Sequence, residues 1–200
     1  MVSVLLSISV LYGGIMKKIV TAIALCASFN ALADWDSYGG LGINLNTYKE
    51  DLPNQYELED DQTLGLTAGW KTVGRWGNIG FRTGAFFEYA RVSVDNKIGT
   101  NPNIELKSYY AAIPLNLQFD VIDSLSIFGG LTPRILLAKT CEDCGEFDDD
   151  GTTFVNYTNF GVTWNFSRNW SADFVFNHAI QENYENIKIN TAQALLFYKF

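Results

Sequence analysis

Basic residues are scarce in this chain. Lys and Arg number 14 against 22 Asp and Glu, and the formal net charge is −8. That balance argues against nucleic acid as a partner, because phosphates demand Lys and Arg. Histidine occurs once, as His178, and cysteine only as Cys26, Cys141 and Cys144. A zinc site at Cys141 and Cys144 would need two further ligands, and no other Cys or His lies near them. Long apolar runs are also missing: beyond residue 33 none approaches the ~20 residues that a helix needs to cross a bilayer. Any membrane location must therefore come from strands, whose alternation is weak per segment.

What is present begins with an export signal. Met16-Lys17-Lys18 precedes the largely apolar run Ile19 to Phe29, and Ala31-Leu32-Ala33 follows. A basic start, a short apolar run and an A-x-A site make a secretory signal peptide. The expected start is Met16, with residues 1–15 an upstream extension and cleavage after Ala33. Leu25 stands before Cys26, where a lipoprotein signal needs a small residue. Residues 34–200 are then a single domain. Cleavage removes Lys17 and Lys18 and no acid, so the exported chain is more acidic still.

The rest of the chain alternates. Successive side chains of a strand point to opposite faces, so an apolar period of two marks a strand. Eight such stretches occur: Gly39 to Tyr48, Thr63 to Lys71, Asn78 to Ala90, Lys107 to Val121, Leu125 to Ala138, one ending at Phe160 to Phe166, Trp170 to Asn177, and Lys188 to Phe200. Short turns are expected at Val73-Gly74-Arg75, Ile122-Asp123-Ser124 and Ser167-Arg168-Asn169. They alternate with long polar loops at 49–61, 93–104, 139–152 and 180–187. Pro114 and Pro133 fall inside expected strands; proline cannot donate to a ladder, so each requires a bulge or a break. An even strand number with short turns at one end and long loops at the other is the plan of an outer-membrane barrel. The reading is all-β: an eight-stranded antiparallel up-and-down transmembrane β-barrel with a polar, side-chain-filled interior.

The chemistry of the two faces says which is outside. One face is bulky and apolar throughout. The other is largely Gly, Ala, Ser, Thr and Asn with charges of both signs: Lys71, Arg82, Glu88, Asp120, Arg134, Asp173 and Lys199. Small residues with balanced charge suit a crowded interior closed by ion pairs, with lipid outside. By height, Glu88 and Arg134 lie above the other five. A soluble lipocalin-like barrel would reverse the faces. Trp35, Trp70, Trp76, Trp164, Trp170, Tyr198 and Phe200 all fall at the short-turn end. Trp and Tyr concentrate at membrane interfaces, so these residues are expected to form a periplasmic aromatic girdle.

The final stretch, KINTAQALLFYKF, sets Ala192, Ala194, Leu196, Tyr198 and Phe200 on one face and ends on an aromatic. It resembles the C-terminal strand of bacterial outer-membrane barrels, although Ala194 stands where that family often has Gly. Over residues 34–200 the chain is similar to the small eight-stranded OmpA-like and OmpX-like barrels, the porin-family β-barrel domain proteins, and Ile113-Pro114-Leu115 matches a stretch in one branch. The resemblance implies a location in the outer membrane of a Gram-negative cell, contact with outer-membrane lipid and lipopolysaccharide, recognition of the last strand by the insertion machinery, and a monomer.

Local sites add little chemistry. Cys26 leaves with the signal, and Cys141 and Cys144 are expected to form a disulfide in an oxidising compartment. Glu146, Asp148, Asp149, Asp150 and Gly151 lack the alternating ligand spacing of an EF-hand loop and read as a solvated acidic loop. Charge alone makes the clusters Glu57 to Asp61 and Asp148 to Asp150 candidates to bind divalent cations that bridge lipopolysaccharide phosphates. Eight-stranded lipid A deacylases carry His and Ser two residues apart; here His178 is followed two residues on by Ile180. The expectation is a structural or surface-interaction protein with no catalysis, no cofactor and no metal. A narrow channel for small solutes is the runner-up, and a lipid A-modifying enzyme or a soluble lipocalin-like binder are the further alternatives.

Overall fold

The computed structural model describes residues 34–50, 56–58, 62–96, 104–142, 153–181, 183 and 187–200. Ten strands are present among them: β1 (Asp34–Glu50), β2 (Tyr56–Leu58), β3 (Gln62–Trp76), β4 (Ile79–Asn96), β5 (Ile104–Ala112), β6 (Leu115–Ile122), β7 (Leu125–Glu142), β8 (Phe154–Asn165), β9 (Trp170–Ala179) and β10 (Ile187–Lys199). All pairings are antiparallel. β1 pairs with both β3 and β10, which closes the sheet on itself. β5 and β6 together form one stave, because both lie between β4 and β7. β2 pairs only with the end of β4. Among the described residues the wall is thus a closed barrel of eight staves, as expected.

The expected strands are present but several run longer. β3 continues through Val73-Gly74-Arg75, the expected turn, and the chain reverses instead at Gly77-Asn78. Gly77 has φ 62°, the left-handed region where glycine carries no steric penalty. Gly74 sits in the ladder opposite Trp35 because the Trp35 ring covers it: a Cβ there would lie 2.9 Å from the ring. A glycine under a ring reads locally like a glycine in a turn. β2 was not expected within the 49–61 loop.

The two prolines share one interruption. The stave between β4 and β7 breaks at Ile113-Pro114, leaving Ile113-Pro114 opposite Thr132-Pro133 without ladder partners. The Ile113 N–H still donates to the Pro133 carbonyl at 3.0 Å. In a strand, N and C=O of a residue point to the same side, so the donor that Pro133 lacks faces the gap made by Pro114. A separate register shift, between Tyr109 and Tyr110, leaves Leu137 as the extra residue.

The faces divide as the alternation requires. Outside, large apolar side chains stand exposed, among them Leu41 (69%), Leu64 (69%), Leu117 (68%) and Phe160 (64%). An apolar surface of this kind suits hydrocarbon, not water. Inside, a band of apolar residues (Tyr38, Val73, Phe86, Phe128, Val175, Leu195, Phe197) is buried among the polar ones. Interior glycines make room for its rings: a Cβ on Gly40 would lie 2.3 Å from Phe197 Cδ1, and one on Gly161 2.4 Å from Phe128 Cζ.

Candidate functional site

The barrel lumen gathers the charged residues into three levels. At the short-turn end, Arg75 reaches Asp36 at 2.5 Å and Asp120 at 3.2 Å, and Lys199 Nζ reaches Asp36 at 2.5 Å. These side chains keep partial exposure, 23–34%. Gln118 and Ser126 also donate to Asp120.

The second level centres on Asp173, which is fully buried. Lys71 Nζ lies 2.8 Å from its Oδ2 and Arg82 Nη2 2.6 Å from the same atom. Thr163 donates to Oδ1 at 2.8 Å. Aromatic faces hold the two cations as well: Lys71 Nζ sits 4.0 Å from the Phe197 ring centre and the Arg82 guanidinium 4.0 Å from that of Phe128. Such contacts strengthen when the cation is withdrawn from water.

The third level pairs Glu88 with Arg134, whose Nε lies 2.8 Å from Oε2. Gln193 donates to Glu88 Oε1 at 2.8 Å. Arg134 donates to Thr191 and lies 3.9 Å over the Tyr157 ring. Between the second and third levels is a cavity of about 20 Å³. Arg82, Asn116, Asn159 and Asn177 line it, and Arg82 Nε, Asn116 Oδ1, Asn159 Oδ1 and Asn177 Nδ2 have no protein partner. Two donors and two acceptors around a space this small match one water molecule.

All seven charged residues expected inside therefore point into the lumen. Lys71, Arg82 and Asp173 meet, as do Glu88 and Arg134. Asp120 and Lys199 do not touch each other; each joins through Asp36 and Arg75, which the sequence reading did not single out. In the sequence Arg75 falls in an expected turn, and Asp36 precedes the expected start of the first strand. Their parity, once β1 and β3 are extended, places both inside.

Among the aromatics, Trp70, Trp164, Trp170, Tyr198 and Phe200 are exposed on the outer face, and Trp35 and Trp76 are partly covered there. Trp70, Gly39, Tyr198 and Trp170 are successive register partners across four strands. Trp170 and Tyr198 pack edge to face at 5.1 Å. His178 is exposed on the outer face, and among the described residues no group of His, Cys, Asp or Glu could hold a metal ion. The Cys141 backbone lies one residue before the end of β7, but its side chain and Cys144 lie outside the described residues. So do residues 59–61, 148–150 and the side chain of Glu57.

Comparison with known proteins places this architecture. The family model described as "Outer membrane protein beta-barrel domain" matches residues 19–200. Among solved structures, Neisserial surface protein A (NspA) is similar at 14% identity and TM-score 0.50, covering 82% of this chain and 97% of its own. The outer membrane protein OprG from Pseudomonas aeruginosa is similar at 11% identity and TM-score 0.50, covering 84% and 96%. Ail of Yersinia pestis aligns over 84% of this chain and 99% of its own at 15% identity and TM-score 0.47. No curated protein sequence matches the chain. At these identities NspA and OprG speak for the fold alone.

Proposed function

The chain belongs to the outer membrane protein beta-barrel domain family, and from that premise we propose that it is a non-catalytic barrel with a structural or cell-surface interaction role. The family indicates the cell outer membrane as its location. The observation that supports a closed rather than a conducting barrel is the pair of buried charge levels, Lys71/Arg82–Asp173 and Glu88–Arg134, with a cavity of only about 20 Å³ between them. A buried pair breaks at a cost of ~3–5 kcal/mol when one partner is lost, so the plug is held firmly.

On this reading the chain is exported through a signal peptide cleaved after Ala33, and the outer-face aromatics at the short-turn end form the periplasmic girdle. Cys141 and Cys144 close a small disulfide in the third long loop. The acidic loops face the cell exterior, where their clusters at 57–61 and 148–150 meet the divalent cations that bridge lipopolysaccharide phosphates. The last strand is what the insertion machinery recognises, and the protein works as a monomer.

The test is conductance in a planar lipid bilayer after reconstitution of the folded protein. The proposal expects electrical silence from the wild type. Steady conductance that changes with Arg82→Ala or Arg134→Ala would replace it with a narrow channel. A loss of mass from lipid A on expression, reversed by His178→Ala, would replace it with an enzyme.

A further inference from the structure

Outward side chains on one side of the barrel line up in two rows. Leu64, Leu45, Ala192, Phe176 and Phe160 are successive register partners on β3, β1, β10, β9 and β8. In the row toward the short-turn end, Leu66, Ile43, Ala194, Phe174 and Val162 follow the same order. In both rows the residue on β10 is alanine, while β1 supplies a branched aliphatic side chain and β9 a phenylalanine. Two alanines between two ridges leave a furrow of about 480 Å³ along β10. Its walls are Ile43 and Leu45 on one side and Phe174 and Phe176 on the other.

The two ends of the furrow differ. Toward the short turns the same face of β10 carries Leu196 and Tyr198, both exposed. Toward the long loops the same face of β10 carries Lys188, four residues beyond Ala192, or ~13 Å at the rise of a strand. The register partner of Lys188 on β1 is position 49, also a lysine. On β9 the exposed residue two beyond Phe176 is His178. The furrow lining stops at Leu45, Ala192 and Phe176, and Lys188 stands beyond it on the same face of β10, past the buried Asn190.

A space with apolar walls facing hydrocarbon does not hold water, and leaving it empty forfeits dispersion contacts on every lining atom. The filler that a bilayer supplies is an acyl chain. Lys188 adds a requirement on its headgroup: a lysine near a membrane surface attracts anionic lipid and extends toward the headgroup region. We propose that the furrow over β10 seats one acyl chain of a phosphate-bearing outer-leaflet lipid, of the lipid A type, with its phosphate against Lys188. This rests on the reading that the long-loop end faces the cell exterior, since only then is Lys188 in the outer leaflet.

The experiment uses the full folded chain in detergent micelles, titrated with diphosphoryl lipid A and followed by native mass spectrometry. Ala192→Phe with Ala194→Phe fills the furrow, Lys188→Glu reverses the charge beyond it, and Ala111→Phe adds the same bulk at a lipid-facing alanine on β5. The double variant and Lys188→Glu are each expected to weaken retention of lipid A by about tenfold, with Ala111→Phe unchanged. Wild-type affinity in the folded double variant overturns the proposal, as does an equal loss in Ala111→Phe. Equal retention of phosphatidylglycerol by the wild type overturns the assignment to lipid A. Failure of the reading beneath it shows differently: protease added to intact cells leaves the long loops of the wild-type chain uncut.

Discussion

Lys71 and Asp173 lie 102 residues apart in the chain and 2.8 Å apart in the lumen, with Arg82 on the same carboxylate oxygen. One anion serves two cations, so the two sides of the pair are not equivalent. Asp173→Asn strands two buried positive charges, and the expected loss is about 3–5 kcal/mol. Lys71→Met leaves Arg82 and Asp173 as a balanced pair with the Thr163 hydrogen bond intact, and the expected loss is under about 2 kcal/mol. Urea unfolding from micelles, followed by tryptophan fluorescence, measures both. Equal losses would show that the two cations do not share the carboxylate.

Gly40 is opposed by the Phe197 ring. A Cβ at Gly40 would stand 2.3 Å from Phe197 Cδ1 and 2.6 Å from the Leu196 carbonyl oxygen. Gly40→Ala is expected to cost about 1–3 kcal/mol by overpacking. Adding Phe197→Leu should return about 0.5 kcal/mol or more of that loss as a coupling energy in a double-mutant cycle. Strict additivity would mean that the strand backbone, not the ring, sets the limit.

Pro133 lacks a donor only where the neighbouring stave is already interrupted by Pro114. Pro133→Ala should therefore change stability by no more than about 0.5 kcal/mol. A proline at Leu117 has no such gap, because β6 is paired there with both β4 and β7. Leu117→Pro should abolish the heat-dependent band shift in SDS gels, while Pro133→Ala keeps it. The reverse pattern would contradict the shared interruption.

Trp70, Trp164 and Trp170 are exposed on the outer face. In variants that keep one of the three, lipids brominated near the headgroup should quench its emission more strongly than lipids brominated near the chain end, as expected at a membrane interface. Stronger quenching from the chain end would place these residues in the middle of the bilayer and remove the girdle.

The sequence by itself determined the parity of each strand, the eight-stave count and the outward apolar face, because alternation is a local property read residue by residue. It also supplied the seven lumen charges, since parity alone sorts them. It misplaced the first short turn at Gly74, where glycine serves the Trp35 ring rather than a reversal, and so left Arg75 out of the lumen. It could not say that Asp36 and Arg75 join Asp120 to Lys199, or that Lys71 and Arg82 share Asp173. Nor could it bring Ala192 and Ala194 between Ile43, Leu45, Phe174 and Phe176. Those groupings depend on the register between strands and on closure of β1 against β10, and a shift of two residues would keep every face while changing every partner. Only the closed tertiary structure fixes that register, through contacts between residues far apart in the chain.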